Sequence, residues 1–251
     1  MRLSLVVVLL LAAAGIWAAG SAPAYPEIAA LARRTDLSVA ARVKGLTAYL
    51  DQADTRLLAL EALCGLDQTA AQAQAGRLFR AKGATDDTRL ALGHFLLAEC
   101  RDHGFAAEFG RYLVPAVLAG EKTFLQVQEE GTRTAVGEYA FLAAGFMGYD
   151  KADFDAMADA RTIPVLIYCL AAPDEVYAKD QGDFIRGKPG TSTGRNLARQ
   201  NIPLALARLH AVAAIPALQA VVKSHHDANL RANAATALAA LTAPTTQPAT
   251  H

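Results

Sequence analysis

Aromatic side chains are scarce in this chain, at 7% of residues, and its single tryptophan, Trp17, lies near the N-terminus. Sheets draw heavily on aromatic and β-branched residues, so this poverty, with almost no extended β-type run, weighs against a sheet. Charge of one sign is lacking too. Lysine plus arginine number 24 and aspartate plus glutamate 24. Nothing therefore draws the molecule electrostatically to nucleic acid or to an anionic membrane surface. Cysteine occurs only at Cys64, Cys100 and Cys169. An odd count makes no disulfide framework. It leaves two readings open, a single bridge between Cys64 and Cys100 or buried thiols in helix cores, and the second is preferred.

What the chain has is apolar residues, 53% of its 251, many of them alanine. That composition suits closely packed helices. Three segments repeat one signature, namely Arg56…Ala62-Leu63…Leu66, Arg199…Ala205-Leu206…Leu209 and Arg231…Ala237-Leu238…Leu241. Recurrence of a short helical pattern is the mark of a repeat array, in which each unit buries its apolar face against its neighbours. Helix-start signals accompany it. Asp54 is expected to cap the helix before Leu57, and Asp87-Thr88-Arg89 repeats the device 33 residues later. Thr132-Arg133 is a weaker copy before Ala135, and Asp227 opens the helix that contains Arg231. Ile163-Pro164 and Ile215-Pro216 each place proline in a first helical turn, where its missing N–H costs nothing. Ile202-Pro203 is awkward, because it forces the helix around Arg199 to kink or to start anew at Asn201.

From Ile215 to Arg231 is 16 residues, whereas from Ile163 to Arg199 is 36. Twenty extra residues thus fall between the two helices of the penultimate unit, at 172–194. Insertions in repeat proteins collect in loops on one face, often a binding face. Within this loop Tyr177 and Phe184 offer apolar anchors, while Asp183, Arg186 and Lys188 offer charge. These five are the candidate partner-binding residues. The ending 242–251 has two prolines and no apolar periodicity, and is expected to be a disordered tail.

At the other end, Met1-Arg2 precedes an uncharged, mostly apolar run from Leu3 to Trp17, and Ala22-Pro23-Ala24 follows as a cleavage motif. This order is that of a secretory signal peptide covering 1–24, which predicts a periplasmic or secreted protein beginning at Tyr25. The rival is an uncleaved membrane anchor, for which the run is short of the roughly 20 apolar residues a spanning helix needs.

The stretch Ile215-Pro-Ala-Leu-Gln-Ala-Val-Val, then His226-Asp227-Ala-Asn-Leu-Arg231, then Ala234-Ala-Thr-Ala-Leu238, resembles the HEAT and HEAT-like (armadillo-type) helical repeat family. The resemblance is good over 212–241, fair over 162–211, partial over 37–66 and weak over 70–145. The middle helices are larger and more aromatic than the family pattern, with Phe95, Phe105, Phe109, Tyr139 and Phe141. The resemblance implies an all-α chain, an α-solenoid of antiparallel helix pairs over 25–241 with a loop insertion in the penultimate repeat. It implies protein-binding surfaces and no particular chemistry. HEAT-like metal hydroxylases carry His-Glu pairs, and this chain has no His-Glu dipeptide.

Catalytic motifs do not survive inspection of their context. Gly190-Thr-Ser192-Thr-Gly194 matches the nucleophile-elbow pattern but lacks the buried strand that the elbow needs. Gly182 to Pro189 imitates a phosphate-binding loop, yet has proline where a magnesium-binding Ser/Thr belongs. His94, Cys100 and His103 are close in sequence, but helical geometry turns His94 away from Cys100. Asp150, Asp153, Asp155 and Asp159 read as an acidic helix N-terminus rather than a calcium loop. No cofactor is implied. The expected function is a non-enzymatic extracytoplasmic scaffold for a protein partner, contacting membrane only if its N-terminal segment stays uncleaved. The alternative is an enzyme or small-ligand protein whose site forms only in three dimensions.

Overall fold

In the computed structural model, which describes residues 25–120, 134–172 and 194–243, most helices begin where the chain offers a side-chain acceptor or a proline. Among the described residues the regular structure is all helical. In order, α1 is Tyr25–Arg33, α2 Val39–Thr47, α3 Ala53–Leu66, α4 Gln68–Phe79 and α5 Asp86–His94. A π-helical turn, Phe95–Glu99, continues α5. Then come α6 Ala106–Ala119, α7 Ala135–Ala144, the short α8 Lys151–Asp155, α9 Ile163–Ala171, α10 Gly194–Arg208, α11 Ile215–Ser224 and α12 Ala228–Thr242.

The side chains of Ser38, Asp67, Thr85, Thr134, Asp150 and Asp227 accept hydrogen bonds from free first-turn N–H groups of α2, α4, α5, α7, α8 and α12. Each satisfies a donor that the helix itself cannot. Pro164 and Pro216 sit in the first turns of α9 and α11, as the sequence predicts. Two expected caps are replaced. Asp54 lies inside the first turn of α3, whose N-cap Gln52 makes no side-chain cap, and Thr85 rather than Asp87 caps α5. Pro203 does not divide its helix, because α10 runs through it. Residue 203 has no N–H to give the carbonyl of Arg199, and tertiary contacts on α10 outweigh that loss.

Packing follows the order of the chain. α1, α2 and α3 contact one another, α3 packs on α4, α4 on α5 and α6 on α7. Beyond these, α5 meets α7, α7 meets α10, and α10 meets α9 and α12, while α9 and α12 both touch α11. A single apolar cluster links these contacts from Ile28 to Ala237. Its aromatic section lies between α4 and α6, where Phe79 stands edge-on to Phe105, Phe109 and Tyr112 at 5.0, 6.1 and 5.6 Å between ring centres. Such edge-to-face pairs add about 0.5–1.5 kcal/mol each beyond area burial. Gly93 makes the crossing of α5 over Phe109 feasible, since a Cβ there would lie 2.3 Å from the ring. The expected signal peptide, 1–24, and all but two residues of the expected tail, 242–251, lie outside the described residues. Among those described, no helix is long and apolar enough to cross a membrane.

Candidate functional site

Tyr177, Asp183, Phe184, Arg186 and Lys188 lie outside the described residues. α9 and α10 pack together, and the buried Arg199 of α10 reaches the end of α9. Its guanidinium donates to the carbonyls of Leu170 at 3.2 Å and Ala172 at 2.8 Å. These carbonyls belong to the last turn of α9 and to the residue that follows it, and have no intrahelical donor of their own. Arg199 therefore ties the root of the insertion to the following helix.

The same contact recurs along the chain. Arg56 donates to Leu50 O at 2.8 Å, and Arg89 donates to Phe79 O at 3.3 Å and Ala81 O at 3.2 Å. Arg231 donates to His225 O at 2.6 Å and His226 O at 2.8 Å. Arg42 does likewise to Ala32 O at 2.9 Å. In each case an arginine in the first turns of one helix holds carbonyls at or just beyond the end of the helix before it. Arg89 also has an aspartate partner, Asp86, at a loose 3.9 Å.

The four aspartates after Tyr149 have different partners, and the reading of them as one helix N-terminus holds for Asp150, the N-cap of α8, and for Asp153 in its first turn. Asp150 caps α8. Asp153 is buried and sits 3.0 Å by both oxygens from Nδ1 of His103. Asp155 makes a two-pronged pair with Arg208, at 2.9 and 2.8 Å, joining α8 to α10. Asp159 pairs with Arg161, which holds its carboxyl below the usual range. Chemically, Asp153 and His103 form an oriented imidazole, half of an acid–base apparatus. No described serine, cysteine or lysine is hydrogen-bonded to the other ring nitrogen.

A second polar group is buried between α5, α7 and the segment before α8. The phenol of Tyr149 donates to the Glu138 carboxylate, and His94 lies edge-on to the Tyr149 ring at 4.9 Å. All three are at least 95% buried, consistent with a packed polar core rather than an open site. Among the described residues no group of three or more His, Cys, Asp or Glu is placed to hold a metal ion. His225 and His226 stack at 4.7 Å beside Asp227, and Nδ1 of His225 accepts the Asp227 N–H.

Where α3 meets the π turn, the structure brings together residues that the sequence shows only in part. Sγ of Cys64 and Sγ of Cys100 are 3.6 Å apart. Glu61, one turn before Cys64, is half-buried, and burial followed by the charge of Glu99 pushes its carboxyl up to about 7. Burial also raises the Cys100 thiol, with further contributions from Cys64, Asp102 and Glu99. The sequence signal was the Glu61–Cys64 spacing of three, which puts both on one helix face. The π turn, which fixes what that face meets, has no such signal.

The surface also carries a cavity of about 360 Å³ between α6 and residues 156–161, with Arg111, Val114, Pro115, Met157, Asp159 and Arg161 on its walls. It is an open notch with both charged and apolar walls, of a size to take a side chain or short peptide segment of a partner. In comparison with known proteins, no family model, no curated protein and no solved structure matches the chain.

Proposed function

We propose that this protein is a non-enzymatic binding scaffold of the HEAT-like kind, an α-solenoid of antiparallel helix pairs that works outside the cytoplasm and holds a protein partner. The single observation that supports this most strongly is the repeated arginine clamp. Arg56, Arg89, Arg199 and Arg231 each fasten the end of one helix to the start of the next through backbone carbonyls. A device used again and again in the same place is what stacked units require, because each must fix its orientation on its neighbour. It also commits those arginines to the framework and leaves recognition to loops and notches.

The insertion at 172–194 is the proposed recognition element, with Tyr177 and Phe184 as anchors and Asp183, Arg186 and Lys188 for orientation. Its length exceeds the roughly 2–8 residues that connect packed helices. The notch on α6 offers a second contact surface. The test replaces 176–192 with a four-residue glycine-serine linker and compares capture of partners from an extracytoplasmic fraction by mass spectrometry. Loss of specific partners with unchanged thermal stability is the expected outcome. Retention of every partner would refute the role of the loop.

A further inference from the structure

We propose that Cys64 and Cys100 are a thiol pair built to close into an intramolecular disulfide, a modification that joins the end of α3 to the end of the π turn. This inference stands on the thiol geometry and is independent of the scaffold reading. The two residues are 36 positions apart in sequence, yet their sulfurs touch at 3.6 Å. Closure to the ordinary bond length of about 2.05 Å requires a small movement of side chains.

The backbone of Cys100 is held on both sides. Its N–H donates to Phe95 O at 2.9 Å, the wide hydrogen bond that defines the π turn. Its carbonyl accepts from Nε2 of Gln68 at 2.6 Å and Nε2 of Gln72 at 3.4 Å. Two glutamine side chains from α4 thus fix a residue whose only remaining freedom is the rotation of its thiol. The π turn matters for direction. Such a turn takes in one extra residue, and one residue step on a helix is about 100° of rotation. A plain α-helical path from Phe95 would aim the side chain of residue 100 elsewhere. π turns of this kind are frequent at functional positions.

Access is unequal, as a stepwise exchange requires. Cys100 is fully buried, and Cys64 is partly exposed. The thiolate of Cys64 attacks a small disulfide donor such as oxidised glutathione, forming a mixed disulfide and releasing one donor thiolate. The sulfur of Cys100 then attacks Sγ of Cys64, expelling the second donor thiolate, which takes up the Cys100 proton. Two thiols and one donor disulfide become one protein disulfide and two donor thiols, so electrons and protons balance. The carboxylates Glu99 and Asp102 disfavour a thiolate at Cys100. A thiol of high pKa is a poor leaving group in the reverse exchange. The bond is therefore slow to form and slow to reduce, a structural link rather than a catalytic dithiol.

The test uses the purified full chain, fully reduced and then equilibrated in glutathione buffers of increasing oxidised fraction. Samples are quenched in acid, unfolded, alkylated and weighed intact, then mapped by peptide mass spectrometry. The expected result is loss of two alkylatable thiols without a glutathione adduct, a Cys64–Cys100 linked peptide, and Cys169 still alkylated. Cys169→Ser should close as readily as the unaltered chain, and Cys64→Ser should not close. Three alkylatable thiols at every ratio, a persistent glutathione adduct on Cys64, or a bridge that includes Cys169 would each overturn the proposal. The peptide map of the unaltered chain decides the question even if a variant does not fold.

Discussion

Replacing Glu61 with glutamine should make the protein more stable above neutral pH and leave it little changed in mild acid. Burial and the facing Glu99 raise the Glu61 carboxyl from 4.5 to about 7. A carboxyl that resists ionisation in the fold ionises freely in the unfolded chain. The stability it lends the fold is therefore fully present below about pH 4.5 and is lost as pH rises through about 7. At about 1.36 kcal/mol per pH unit, the loss across that window has an upper limit of about 3 kcal/mol. Water reaching the half-buried group reduces this to about 2 kcal/mol. Glutamine keeps the shape and does not titrate. The assay is urea denaturation of both proteins, followed by circular dichroism at pH 5, 6, 7 and 8. The stability difference between variant and parent should grow by about 2 kcal/mol from pH 5 to pH 8, all other titrating groups cancelling in the subtraction. An equal difference at the two extremes would refute the placement of Glu61 in a poorly solvated site beside a like charge.

Arg199→Ala should cost about 2–4 kcal/mol, since it strands two buried carbonyls at the end of α9, and Arg199→Lys should recover only part of that in a denaturant titration. Gly93→Ala should lower stability by about 1–3 kcal/mol, because its new Cβ would overlap the Phe109 ring, and a shift in thermal midpoint reads this directly. If the export reading is right, the native protein begins at Tyr25, and its purified form shows no tryptophan fluorescence because Trp17 has left with the signal.

The helices were legible because their signals are local. Proline in a first turn, an aspartate before an apolar run, and alanine-leucine spacing each act within a few residues, so Pro164, Pro216 and Asp227 are where the sequence places them. The inner leucines follow the same rule with one qualification. Leu63 and Leu206 are fully buried, but Leu238 is only partly covered, because α12 is the last of the described helices and no later described helix packs on it. Failures came where two acceptors compete or where distant packing decides. Thr85 precedes Asp87 and takes the cap first. Pro203 is tolerated because α10 lies between α7, α9 and α12. The acidic residues from Asp150 to Asp159 look alike in sequence and differ in their partners, His103, Arg208 and Arg161, which only the fold supplies. The candidate site was least legible of all. Composition and spacing single out the insertion, but the meeting of Cys64 with Cys100 depends on a π turn that no local pattern announces.

The position of α7 has a consequence for how the chain can change over generations. Every residue of α7 from Val136 to Ala143 is buried, and the helix touches α5, α6, α8 and α10. A substitution there must satisfy several neighbours at once, and a change that suits one will offend another. Among the described residues, α1 packs chiefly on α2 and α3, and α12 on α10 and α11. Variation should therefore accumulate at the two ends of the described chain and thin out toward α7, giving a molecule whose margins can drift towards new surfaces while its middle stays fixed.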